Sequence, residues 1–121
     1  MTRHLLFLAL FVASAAAQDP LARFAAARAA GDVPGMRREA DAAIAVAPKD
    51  PEAHRALATA IEAQAAGDIA RGRTIFVGVL FLDAMDAWAT AASLAVDAAA
   101  ARSDLLAAGS AALRAGNGGK V

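Results

Sequence analysis

Residues 48–68 read PKDPEAHRALATAIEAQAAGD, and the reading of this stretch decides the fold. Pro48 stops any helix that precedes it, because its ring clashes with a carbonyl one turn back and it has no N–H to donate. Asp50 can cap the next helix, and Pro51 then occupies the first helical position, where a missing N–H costs nothing. Ala53, Leu57, Ala58, Ile61 and Ala65 recur at helical spacing along one face. Gly67 is expected to end the helix in a left-handed conformation. The stretch is a turn, a helix and a turn.

The same grammar extends in both directions. Upstream, residues 34–47 form an expected helix with Met36, Ala40, Ala43, Ile44 and Ala47 facing inward. Gly31-Asp32 separates it from residues 20–30, where Asp19 is the expected cap and Leu21, Phe24 and Ala25 the apolar stripe. Downstream, residues 69–82 read IARGRTIFVGVLFL, with Gly72 and Gly78 inside the run and a β-branched, aromatic bias from Thr74 onward. A helix is still expected there, because no partner strand exists and a lone strand could not satisfy its backbone. Residues 84–101, with Met85, Trp88, Ala92 and Ala95, form a fifth expected helix. Ser103 or Asp104 is the expected cap of a sixth, residues 105–115, and residues 116–121, GNGGKV, read as a disordered tail.

The N-terminal residues 1–17 read as an export signal rather than as fold. Arg3 supplies the positive charge, residues 5–13 (LLFLALFVA) the apolar run, and Ser14-Ala15-Ala16-Ala17 the small residues, with Ala15-x-Ala17 before the expected cleavage ahead of Gln18. An uncleaved anchor is the other reading of the same run. The expected domain is therefore residues 18–115, exported to the periplasm or secreted.

Composition narrows the class further. The chain has 12 basic and 12 acidic residues, so it carries no electrostatic footprint for nucleic acid or an anionic membrane. It has no cysteine, which excludes disulfides and thiolate metal sites. Alanine makes up about a third of the residues. Because alanine loses no side-chain entropy on entering a helix, an all-α domain with closely approaching helices is expected. The apolar run at 74–82 is about half the length of a membrane span, and its extension meets Asp83 and Asp86.

Pro20, His54 and Trp88 recur at intervals of 34 residues, as do Phe24, Ala58 and Ala92, and Gly31-Asp32 returns two residues late as Gly67-Asp68. The segment AVAPKDPEAHRALATAI followed by QAAGD resembles the tetratricopeptide repeat, with Pro48, Ala53, Leu57, Ala58 and Gly67 in that family's positions. His54 stands where the family prefers Trp, Ile61 where it prefers Tyr, and Pro20 where an aromatic belongs. The third unit keeps Ala87-Trp88 but has Ala99-Ala100 in place of Gly-Asp. The resemblance implies antiparallel helical hairpins stacked as a short solenoid. It also implies a concave groove for a protein or peptide partner, lined here by Arg28, Arg55, Thr59, Glu62, Ser93 and Asp97. The same residues read equally well as the solvated faces of amphipathic helices.

Chemistry-bearing constellations are sparse. His54 falls at a packing position one turn into a helix and reads as a packing residue rather than a base. Ser93, Ser103 and Ser110 lie in no nucleophile context. Asp83 and Asp86 are better suited to cap and turn duty than to holding a cation. No cofactor, metal or catalytic residue is expected. The expected function is non-catalytic protein–protein interaction outside the cytoplasm, as a small adaptor or scaffold. The alternative is a helical bundle whose pocket, built around Phe76, Phe81, Met85 and Trp88, binds a small apolar ligand.

Overall fold

The computed structural model describes residues 19–117, and the expected leader and most of the expected tail lie outside them. Within the described residues the protein is all-α, with five helices and no sheet. They are α1 (Pro20–Ala29), α2 (Val33–Val46), α3 (Pro51–Ala70), α4 (Val77–Leu94) and α5 (Ala98–Gly116). Each helix packs antiparallel on the next, and α1 also touches α3.

Three of the helix starts follow directly from Asp and Pro. Asp19 accepts a hydrogen bond from the Leu21 N–H at 3.2 Å, Asp32 from Gly35 at 3.0 Å and Asp50 from Glu52 at 3.0 Å. A proline stands in the first turn of each of these helices. The carboxylates satisfy orphan N–H groups and complement the positive end of the helix dipole.

The C-terminal half departs from the expected segmentation. Helix α3 does not stop at Gly67 but continues to Ala70, and the left-handed residue is Gly72, at φ +73°. There the Arg73 N–H reaches back to the Asp68 carbonyl at 2.8 Å and the Gly72 N–H to the Ile69 carbonyl at 3.1 Å. Gly31, at φ +70°, closes α1 with the same pair of bonds, Asp32 to Ala27 at 2.9 Å and Gly31 to Arg28 at 3.1 Å. In both places the chain needs a residue without a Cβ in the left-handed region. Gly67 sits inside the helix without a positive φ, and the terminating bonds form at Gly72 and Arg73 instead.

The helices expected at 69–82 and 84–101 are one helix, α4, which runs uninterrupted past Asp83 and Asp86. The chain breaks instead at Ala95–Asp97, where Asp97 caps α5 by accepting from the Ala99 N–H at 3.0 Å. Ser103 and Asp104, expected as caps, lie inside α5. Five helices therefore replace the expected six. Trp88 belongs to α4, the partner of α3, and does not open a third hairpin, so the recurrence of 34 residues at Trp88 has no structural counterpart.

Two clusters make up the core. Phe24, Met36, Ala40, Ala56 and Ala60 join α1, α2 and α3. Ile61, Ala65, Val77, Phe81, Ala84 and Ala111 join α3, α4 and α5. Leu57 packs against both, so α3 is the shared wall. Alanines at 0 % exposure on α2, α3, α4 and α5 (Ala40, Ala53, Ala58, Ala65, Ala84, Ala91 and Ala111) let the helices approach closely. By length and composition α4 is apolar enough to cross a membrane, yet its inner face is buried between α3 and α5.

Candidate functional site

The cleft between α1 and α3 is the place where three of the expected groove residues, Arg28, Arg55 and Thr59, converge. Its volume is about 590 Å³. Helix α1 contributes Leu21, Phe24, Ala25, Arg28 and Ala29, and α3 contributes Glu52, Arg55, Ala56 and Thr59. The helical repeat places these at i, i+3, i+4 and i+7 on each helix, so each presents one stripe to the cleft. The floor is apolar, with Phe24 and Ala56 buried, and the cations stand at its edges.

The two arginines of this cleft are held very differently. The Arg55 guanidinium donates to Asp104 through Nε at 2.9 and 3.1 Å and through Nη2 at 2.7 Å, and its Nη1 donates to Glu52. Asp104 is 3 % exposed and is the one buried charged residue among the described residues. The hydrogen bonds to Asp104 push the Arg55 pKa above its ordinary value, outweighing the opposing effect of burial. The fork geometry matches a carboxylate bidentately, which fixes Arg55 in rotamer and charge. This pair spans 49 residues and ties α3 to α5. Arg28 is exposed and makes no ion pair among the described residues. It is the cation with capacity to spare.

Thr59 donates its hydroxyl to the Arg55 carbonyl at 2.9 Å, a bond internal to α3. The other three expected groove residues lie outside the α1/α3 cleft. Glu62 accepts from the Trp88 indole N–H at 3.4 Å, between α3 and α4. Ser93 donates to the Thr90 carbonyl at 2.7 Å near the end of α4, and Asp97 is the cap of α5. Arg28, Arg55 and Thr59 are thus brought together, while Glu62, Ser93 and Asp97 are not.

Sequence reasoning did not find the Arg55–Asp104 pair. Asp104 was assigned to a helix start, and the signal that could have corrected this is an acidic residue amid LL and AA, where an amphipathic helix would expose it. Burying a charge is costly unless it is paired, so such a residue points to a cationic partner.

Other features are structural. His54 Nε2 lies 2.7 Å from the Pro48 carbonyl; a carbonyl only accepts, so Nε2 carries the proton and the ring staples the preceding turn. Between α2 and the end of α3, a cleft of about 740 Å³ mixes Arg37, Arg38 and Arg71 with Asp41 and Asp68. Arg37 Nε stands 3.6 Å from Asp41 Oδ2, an ion pair too long for a hydrogen bond. Among the described residues no group of three or more His, Asp or Glu is placed to hold a metal ion. Of the residues expected to wall an apolar pocket, Phe81 is buried in the core, Met85 and Trp88 pack against it, and Phe76 is 69 % exposed. Comparison with protein-family models, with characterised proteins and with solved structures finds no match.

Proposed function

We propose that this chain is an exported, non-catalytic protein-interaction module, a small adaptor or scaffold of tetratricopeptide-like helical hairpins acting in the periplasm or outside the cell. In this reading the α1/α3 cleft receives a segment of a partner protein. The observation that carries it is the contrast between the two cations: Arg55 is locked to Asp104 and Glu52, whereas Arg28 stands unpaired beside an apolar floor of Leu21, Phe24 and Ala25. A partner segment that pairs an apolar side chain with a nearby carboxylate fits that arrangement. The apolar contact supplies most of the affinity and the Arg28 contact the orientation.

Site-directed photo-crosslinking in the exported fraction tests this. A crosslinker at Ala25, in the cleft, is expected to capture a defined polypeptide, and Arg28→Glu to abolish that product. A crosslinker at Leu106, on the far face of α5, is the control. Products that are the same from both positions, or no product from Ala25, would remove the reading. The export component is tested separately by intact mass, which is expected to show a chain beginning at Gln18. A species that keeps residues 1–17 in the membrane fraction would make the protein an anchored one.

A further inference from the structure

We propose that the outer face of α4 is a self-complementary interface through which two copies of this chain associate about a two-fold axis near Val79. The face is apolar at its centre and oppositely charged at its two ends. Phe76 is 69 % exposed, Val79 55 % and Leu82 46 %, and Ile75, in the turn leading into the helix, is 88 % exposed. On one side lies Arg73, exposed in that same turn. On the other lie Asp83 and Asp86, both exposed. None of these three charges has an ion-pair partner among the described residues.

The spacing gives the geometry. Val79 and Asp86 are seven residues apart, two helical turns, and so lie on one line along α4, with Leu82 and Asp83 on either side of it. When two such helices pack antiparallel about a two-fold axis at Val79, residues equally far from Val79 in opposite directions meet. Phe76 of one copy meets Leu82 of the other, and the turn carrying Arg73 meets the segment from Asp83 to Asp86. The contact is made twice, as an isologous interface requires. A parallel arrangement would set like charges side by side, so the pattern also selects the direction.

The charge order argues for this occupant over a lipid surface. Arg73 would suit anionic headgroups, but Asp83 and Asp86 on the same face would be repelled by them. A second copy satisfies both ends at once.

Charge reversal with sedimentation velocity over a concentration series tests the proposal. The purified chain is expected to be a reversible dimer. Arg73→Glu and Asp86→Arg should each weaken association at least tenfold, since each sets two like-charge contacts across the axis. An equimolar mixture of the two variants should restore association as a heterodimer, because each contact then pairs opposite charges. Val79→Glu should leave a folded monomer by circular dichroism, and Leu106→Gln, on the outer face of α5, should remain a dimer. A monomeric parent chain, a mixture that stays monomeric, or loss of the dimer in Leu106→Gln would overturn the proposal. So would flotation of a monomeric chain with vesicles of phosphatidylethanolamine and phosphatidylglycerol, which would assign the face to a membrane.

Discussion

The first hairpin and the last two helices solve the same packing problem in opposite ways. Helices α1 and α2 turn their largest apolar residues, Phe24 and Met36, inward, both lying below 10 % exposure. Helix α5 does the reverse: Asp104, Ala108 and Ala111 face inward, while Leu105, Leu106 and Leu113 are between 58 % and 71 % exposed. Helix α4 is apolar on both sides at its N-terminal end, with Val77 and Phe81 inside and Phe76 and Val79 outside. A helix starts with a side-chain cap in α1, α2, α3 and α5, whereas α4 follows Phe76 and has none. The difference separates four helices whose starts are specified locally from α4, whose start is specified by what it packs against.

The strongest way to break this contrast is through the ion pair that joins α3 to α5. Asp104→Ala leaves Arg55 without its main partner in a largely enclosed position and is expected to cost about 3 kcal/mol in urea denaturation. Glu52 keeps part of the guanidinium satisfied, which holds the loss at the lower end for such pairs. Arg55→Leu with Asp104→Leu should recover most of that stability, because burying two well-packed apolar groups avoids the desolvation of both charges. If the single variant is as stable as the parent, α5 docks through its alanines alone.

Trp88 sharpens the contrast from the other side of α3. It is half-buried against the cluster of Ile61, Ala65 and Phe81, with its N–H directed at Glu62. Trp88→Ala is expected to cost about 2 kcal/mol, below the roughly 3–5 kcal/mol of a fully buried aromatic. As the one tryptophan of the chain, it also reports on the second cluster directly. Its emission should shift to the red in a single step with the loss of helical circular dichroism. An earlier fluorescence change would show that α4 and α5 come away before the first hairpin unfolds.

The smallest effects concern the two glycines near the α3–α4 turn. Gly72→Ala forces a Cβ into the left-handed region and should destabilise by about 1 kcal/mol. Gly67→Ala is expected to be neutral or to stabilise by up to about 1 kcal/mol, since a methyl there meets only the Arg71 Nη1 at 3.4 Å. Thermal unfolding of both variants in parallel checks the order. The reverse order would move the end of α3 back to Gly67.

Helical content and the starts of α1, α2 and α3 were legible because their causes are local. An aspartate followed closely by proline, then an apolar stripe at helical spacing, requires nothing from distant parts of the chain. Gly31 was legible as a terminator for the same reason. Gly67 was misleading, because Gly67-Asp68 repeats the Gly31-Asp32 signal, while the left-handed residue that ends the helix is Gly72. The candidate cleft was half legible: of the six residues that the resemblance implied, Arg28, Arg55 and Thr59 lie together because α1 and α3 are neighbours. Ser93 and Asp97 were projected from a third hairpin that the chain does not form, and Glu62, on α3, faces α4 and Trp88 instead of α1.

The sequence by itself determined that the described chain is helical and where its first three helices begin, because propensity, capping and proline geometry act within a few residues. The tertiary structure alone decided that α4 runs unbroken from Val77 to Leu94 and that Asp104 is buried against Arg55. It also decided that the leucines of α5 face outward. Those outcomes depend on which surface each helix finds to cover it. In a chain about one third alanine, small side chains let more than one face of a helix pack closely, so periodicity alone does not choose between them.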